Sequence, residues 1–168
     1  NKRYLDIVAG VSADSIGHSN KYITDAVKDQ LDKYTHVMVY GEYIQKPQYE
    51  LAKLLSENLP KSLSTSYFTN SGTEAIEGAM KLAKRISGRS EIIYFKGSYH
   101  GSTQGALSVM GNEYYKSKYR PLLPNCKQII FNDIKSLENI TKKTAAVIVE
   151  TIQGGSGFKI AKADFLIE

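Results

Sequence analysis

The 168-residue chain predicts an α/β fold in which a mixed, mostly parallel sheet is flanked by helices. Three observations predict it. Short runs at 92–95 and 145–149 are apolar throughout, as strands covered on both faces are, and 127–131 reads as a further strand. Stretches with apolar residues three or four apart lie between such runs, the pattern of helices packed on a sheet. The segment Thr69-Asn70-Ser71-Gly72-Thr73-Glu74-Ala75 passes from an extended run through a tight turn into a helix start.

In chain order, residues 4–9, with Tyr4, Leu5, Ile7 and Val8, read as a short strand before Gly10. Residues 17–20 form a turn, and Asn20 caps a helix whose apolar face carries Ile23, Val27, Leu31 and Tyr34. The segment 36–43 is aromatic and β-branched. Pro47 lies near the start of a second helix with Tyr49, Leu51, Ala52, Leu55 and Leu59 on its inner face. Residues 66–69 read as a strand. The helix over 73–87 is expected to bury Ala75, Ile76, Ala79, Met80, Ala83 and Ile86, with Gly88 as its C-cap. The strand at 92–95 leads into a glycine-rich segment, a helix over 102–110 and a tyrosine-rich irregular connection over 111–127. A short helix at 134–140 separates the last two strands, and residues 163–168 read as the beginning of another helix.

Composition narrows the function. Apolar content of 42% with only 4 prolines fits a globular chain rather than a disordered one. The net charge of +5 is scattered, and the group Lys116, Lys118 and Arg120 reads as a solvated face, not a nucleic-acid interface. Cys126 is the only cysteine, so no internal disulfide forms, which favours a reducing, cytoplasmic setting. No run approaches the roughly 18 apolar residues of a membrane span, and no signal-peptide pattern is present. His18, His36 and His100 lack ligand-like spacing, so no metal site is expected. Both ends read as cut from a longer protein.

Three places carry chemistry. Ser71, Gly72 and Thr73 open a helix after a strand, where backbone N–H groups and hydroxyls hold a phosphate; the same residues with Glu74 also spell a simple capping box. Tyr99 and His100 follow a strand, where ligands bind in open α/β sheets. An aromatic ring there stacks on a flat cofactor or merely fills core, and the imidazole meets a ring substituent or a loop carbonyl. Glu150 ends a strand expected to be central, so it is a site residue or the partner of a hidden cation. Residues 153–157 read as a flexible loop beyond it. No Gly-x-x-x-x-Gly-Lys, Gly-x-Gly-x-x-Gly or Gly-x-Ser-x-Gly motif supports a nucleotide, dinucleotide or hydrolase site.

Taken together, the run from Asn70 to Ala79, Tyr99-His100-Gly101, and Val149 to Gly154 resemble the class III aminotransferases of the acetylornithine, ornithine and 4-aminobutyrate type. The resemblance covers almost the whole chain. It implies the type I fold and pyridoxal 5'-phosphate as cofactor. It also implies a homodimer that moves an amino group from an amino acid or amine donor to a 2-oxo acid acceptor.

By the same resemblance, Ser71, Gly72 and Thr73 hold the cofactor phosphate, Tyr99 stacks on its ring with His100 beside it, and Gln153 lies near its phenolic oxygen. Glu150 and His100 support catalysis. The family's cofactor-linking lysine and its ring-nitrogen aspartate are expected beyond residue 168, since neither Lys159 nor Lys162 fits. The 168 residues are then expected to be inactive alone. Residues 1–45 would be an N-terminal segment and 46–168 the first half of the large cofactor-binding domain. Three positions depart from the family pattern: Gly155 stands where ornithine-type members carry a second glutamate, Thr151 where proline is common, and Asn20 near the end of the early turn. An epimerase or aminomutase on the same framework, and a non-catalytic interaction protein, are the alternative readings.

Overall fold

The computed structural model describes residues 2–38 and 41–168, which divide into a unit ending at Ser66 and a unit running Tyr67–Glu168. In the first unit the expected strand at 4–9 does not form. The Asp6 carboxylate accepts hydrogen bonds from the N–H groups of Val8, Ala9 and Gly10 at 3.0, 2.9 and 3.2 Å. This local acceptor draws the chain into a one-turn helix, α1 (Ala9–Ser12), with positive φ at all four residues. His18 sits between two carboxylates, 2.7 Å from Asp6 and 3.2 Å from Asp14, and its pKa is raised first by Asp6 and then by Asp14.

Helix α2 (Lys21–Lys33) starts where the Asn20 side chain accepts the Tyr22 N–H at 3.1 Å. Helix α3 (Lys46–Asn58) carries Pro47 in its first turn, where a missing N–H costs nothing. Neither helix contains a buried residue; Val27 and Leu31 of α2, with Leu51 and Leu54 of α3, are exposed. The segment 36–43 includes positions 39 and 40, which lie outside the described residues.

The second unit is built on three parallel strands, β1 (Glu91–Phe95), β2 (Cys126–Ile129) and β3 (Thr144–Ile148), in the order β2-β1-β3. The alternation of β1 sorts its side chains onto two faces. Ile92 and Tyr94 pack with Val109 and with Met80 of helix α4 (Gly72–Ser87). Ile93 and Phe95 pack with Ile129 and with Phe165 of a final helix at Ala163–Ile167. Phe95, Phe131 and Phe165 stand edge to face around one another, with centroids 5.4 to 5.9 Å apart.

Several expectations need correcting here. Strand β3 is an edge of this sheet among the described residues, and β1 is the central strand. Residues 66–69 pair with no strand among the described residues. Helix α4 buries Met80 and half-buries Ile76 and Ala83, whereas Ala75, Ala79 and Ile86 are exposed. The helix carries two apolar stripes, and the sheet covers the one running through 76, 80 and 83. Gly88 ends it at φ +66, as expected.

The region 111–127 is also more ordered than its composition suggests. After a short helix α5 (Gln104–Ser108) come α6 (Glu113–Lys116) and a 3-10 turn, Ser117–Tyr119. Lys116 is buried rather than solvated. Its ammonium donates to the Tyr94 hydroxyl at 2.7 Å and to the carbonyls of Met110 and Ser108 at 3.1 and 3.2 Å, so each of its three donors has a partner. It thereby satisfies carbonyls left free where α5 ends. The expected loop at 153–157 belongs to a hairpin of β4 (Ile152–Gln153) and β5 (Lys159–Ile160), joined through a 3-10 turn at Gly154–Ser156. Replacing Lys116 by Met should lower the unfolding free energy of the intact protein by about 2 kcal/mol or more, since three buried acceptors lose their donor; a denaturant titration measures it.

Candidate cofactor site

The site lies where β1 ends, because the chain turns there toward the first turn of α4. Ser71 is the N-cap of α4: its hydroxyl oxygen accepts the Glu74 N–H at 3.3 Å, while the Glu74 carboxylate accepts the Asn70 N–H at 2.8 Å. The capping arrangement is therefore formed. It does not use up the helix end, for the N–H groups of Gly72 and Thr73 have no intrahelical partner and make no hydrogen bond among the described residues.

Facing this turn, the loop after β1 carries Tyr99, His100 and Gly101. Gly101 has φ +123, and a Cβ built on it would stand 2.3 Å from the Thr73 hydroxyl oxygen and 2.5 Å from the Thr73 Cβ. Only glycine lets the loop lie this close. Gly72, Thr73, Ile76, Tyr99, His100, Gly101 and Ser102 line an open cleft of about 470 Å³, a size suited to a small cofactor.

Within the cleft, Tyr99 is half exposed, so its ring is available for stacking, whereas His100 is buried. The His100 Nε2 has no hydrogen-bond partner among the described residues. Burial holds its pKa below the ordinary imidazole value, so the ring is neutral at pH 7. A buried ring nitrogen without a partner is costly.

Glu150 lies two residues beyond β3 and outside the cleft's lining. Its carboxylate accepts the Tyr99 N–H at 3.1 Å and so ties the cleft loop to the strand end. Burial raises its pKa above the ordinary carboxyl value, with the Tyr99 N–H pulling the other way. Gln153 is fully buried and donates to the Lys96 carbonyl at 3.1 Å, while its Oε1 lacks a partner among the described residues. It lines a different cavity, about 700 Å³, with Gly97, Asn112 and Ser156. The Ser156 hydroxyl donates to the Gly97 carbonyl at 2.6 Å, so the hairpin is anchored to the end of β1.

The structure thus gathers Gly72, Thr73, Tyr99 and His100 around one cleft. Ser71 adjoins it as the cap, Glu150 reaches it through Tyr99, and Gln153 stands apart. Sequence reasoning missed Glu77 and Thr103. The Glu77 Oε1 accepts the Thr103 hydroxyl at 2.6 Å and the N–H groups of Gly105 and Ala106 at 2.8 and 3.1 Å. Burial alone would raise the Glu77 pKa, but these donors outweigh it and hold the carboxyl below its ordinary value. No local pattern marks this pair, whose members lie 26 positions apart.

The features on this structure fit pyridoxal 5'-phosphate. Two unbonded N–H groups at a helix start suit its phosphate, and an exposed tyrosine ring suits its pyridine. Among the described residues there is no group of acidic, cysteine and histidine side chains able to hold a metal, and no helix is long and apolar enough to cross a membrane.

Comparison with known proteins gives the family and the fold. The chain is 42% identical over 166 residues to an acetylornithine aminotransferase of Archaeoglobus fulgidus, covering 98% of this chain and 43% of the relative. It is 39% identical to the acetylornithine aminotransferase of Methanopyrus kandleri, covering 98% and 42%. Its structure is similar to that of an (S)-enantioselective omega-transaminase from Thermomicrobium roseum, with a TM-score of 0.90 and 26% identity over 98% of this chain and 43% of that one. The chain therefore spans about two-fifths of the length of these relatives. Residues 1–168 match the family described as aminotransferase class-III, with the type I fold of the pyridoxal-phosphate transferases, and the chain belongs to that family.

Proposed function

We propose that this chain supplies the anion grip and ring platform of a pyridoxal 5'-phosphate-dependent aminotransferase, which moves an amino group from an amino acid or ω-amine to a 2-oxo acid. The observation that carries this reading is the cleft between the first turn of α4 and the Tyr99–Gly101 loop, with two unbonded N–H groups on one wall and the exposed Tyr99 ring on the other. When bound, the cofactor supplies an electron-accepting ring that takes up the electron pair left when a proton leaves the carbon bearing the amine.

The chain's own residues bind and orient. The N–H groups of Gly72 and Thr73, together with the Ser71 hydroxyl, hold the phosphate. The helix end favours its negative charge. Tyr99 backs the ring, and neutral, buried His100 packs beside it. Glu150 holds the Tyr99 backbone in place, so the stacking ring and the imidazole beside it keep a fixed height above the cleft.

The two curated relatives named above support an ω-amino donor of the acetylornithine kind. Gly155 leaves open the space beside Tyr99: a Cβ there would stand 3.5 Å from the Tyr99 Cβ, and ornithine-type enzymes carry a glutamate at this position by resemblance. A homodimer working in a reducing, cytoplasmic setting completes the proposal; the exposed apolar faces of α2 and α3 support a partner for them.

The intact protein should bind pyridoxal 5'-phosphate with a visible absorbance band. That band should bleach on addition of N-acetylornithine, ornithine or 4-aminobutyrate and return with 2-oxoglutarate or pyruvate. Absence of cofactor binding would remove the enzyme reading. Gly101→Ala, which drives a methyl group into Thr73, should weaken cofactor affinity at least about tenfold.

Glu150 gives a pH signature in the cofactor-free protein. Its folded pKa is raised above 4.5, so stability is greatest while it is protonated and falls as pH rises through the ordinary carboxyl value toward the folded one. Glu150→Gln removes that loss and keeps an acceptor for the Tyr99 N–H. The variant should gain thermal stability relative to wild type as pH rises through and above the ordinary carboxyl value, and show no gain well below it.

A further inference from the structure

The Thr73 and Thr103 hydroxyl oxygens lie 2.7 Å apart, and the direction of that bond follows from counting protons. Thr103 has one hydroxyl proton. The Glu77 Oε1, 2.6 Å away, belongs to a carboxylate that only accepts, so the Thr103 proton goes to Glu77. The bond between the two threonines must then be donated by Thr73. The Thr73 oxygen in turn accepts the Thr103 N–H at 3.4 Å. The chain of protons runs from Thr73 to Thr103 to Glu77 and ends on the carboxylate.

Glu77 does more than receive that proton. Thr103 is the N-cap of α5 but makes no side-chain cap bond, and Glu77 takes over that task by accepting the N–H groups of Gly105 and Ala106 from across the helix pair. Gly105 makes this approach possible, since a Cβ there would stand 2.1 Å from the Glu77 Oε2. One carboxylate therefore fixes both the start of α5 and the hydroxyl of Thr73. Ser71 differs: its oxygen accepts the Glu74 N–H, and its proton has no acceptor among the described residues.

We propose that Glu77 is a positioning residue for this site, which through Thr103 turns the Thr73 hydroxyl proton away from the cleft. An anion in the cleft then meets the N–H groups of Gly72 and Thr73 and the Ser71 hydroxyl, but not the Thr73 hydroxyl. The inference rests on the cofactor reading above and assigns the donors within it.

The test is a titration of the intact, cofactor-free protein with pyridoxal 5'-phosphate, read by absorbance as a Kd, with thermal denaturation confirming that each variant is folded. Thr73→Val keeps the β-branched shape and removes the hydroxyl; its Kd should stay within about threefold of wild type, against the roughly tenfold or greater loss that deleting a hydrogen bond to a charged group brings. Thr103→Val removes the acceptor and frees the Thr73 proton to turn into the cleft. In that background Thr73→Val should weaken binding at least about fivefold, so the two changes are not additive. Thr103→Ser keeps the relay and should bind as wild type does.

A tenfold loss on Thr73→Val alone, or additive effects in the cycle, overturns the proton assignment and leaves the cofactor site standing. If wild type binds no pyridoxal 5'-phosphate, the functional reading fails first and this inference with it. Should Thr103→Val not fold, the Thr73→Val arm decides alone.

Discussion

Two carboxylates that accept hydrogen bonds from a neighbouring element hold the working end of this unit. A loop leaving a parallel strand has backbone N–H groups with no ladder to join, and burying them without acceptors is costly. Glu77 takes the Thr103 hydroxyl with the N–H groups of Gly105 and Ala106, and Glu150 takes the Tyr99 N–H. Between these two anchors the segment from Tyr99 to Thr103 is pinned at both ends, and the cleft lies against it. Its depth is set by Gly101, whose missing side chain lets the loop touch Thr73.

The same principle explains the rest of the second unit. The Lys116 ammonium satisfies carbonyls at the end of α5, and the Gln153 amide and the Ser156 hydroxyl satisfy the carbonyls of Lys96 and Gly97. Thus the end of β1, the short helix and the hairpin are joined by polar side chains reaching across from other elements. The apolar clusters on the two faces of β1 supply the platform, and these polar links set the positions of the groups above it.

Local signals were legible where local physics governs. The Ser71 cap, the left-handed Gly88, the Asn20 cap and the apolar strand β1 are decided by residues within a few positions of one another. That Tyr99 and His100 lie beside the start of α4 came from the family resemblance, not from any local pattern. What was not legible depends on distant partners or on local competition. Glu77 reads as one more polar helix position until Thr103 is brought to it, and Lys116 reads as solvated until Tyr94 closes over it. The expected strand at 4–9 was lost to Asp6, an acceptor close enough to capture three N–H groups before any neighbouring strand does. Gln153 is expected near the cofactor's phenolic oxygen by resemblance; its Nε2 donates to the Lys96 carbonyl and its Oε1 keeps no partner among the described residues.

A crystal structure of the intact protein soaked with pyridoxal 5'-phosphate tests the central claim most directly. The account predicts phosphate oxygens roughly 2.7–3.2 Å from the N–H groups of Gly72 and Thr73, with the pyridine ring against Tyr99. A phosphate bound elsewhere, or a first turn of α4 occupied by a side chain of the protein, would contradict it.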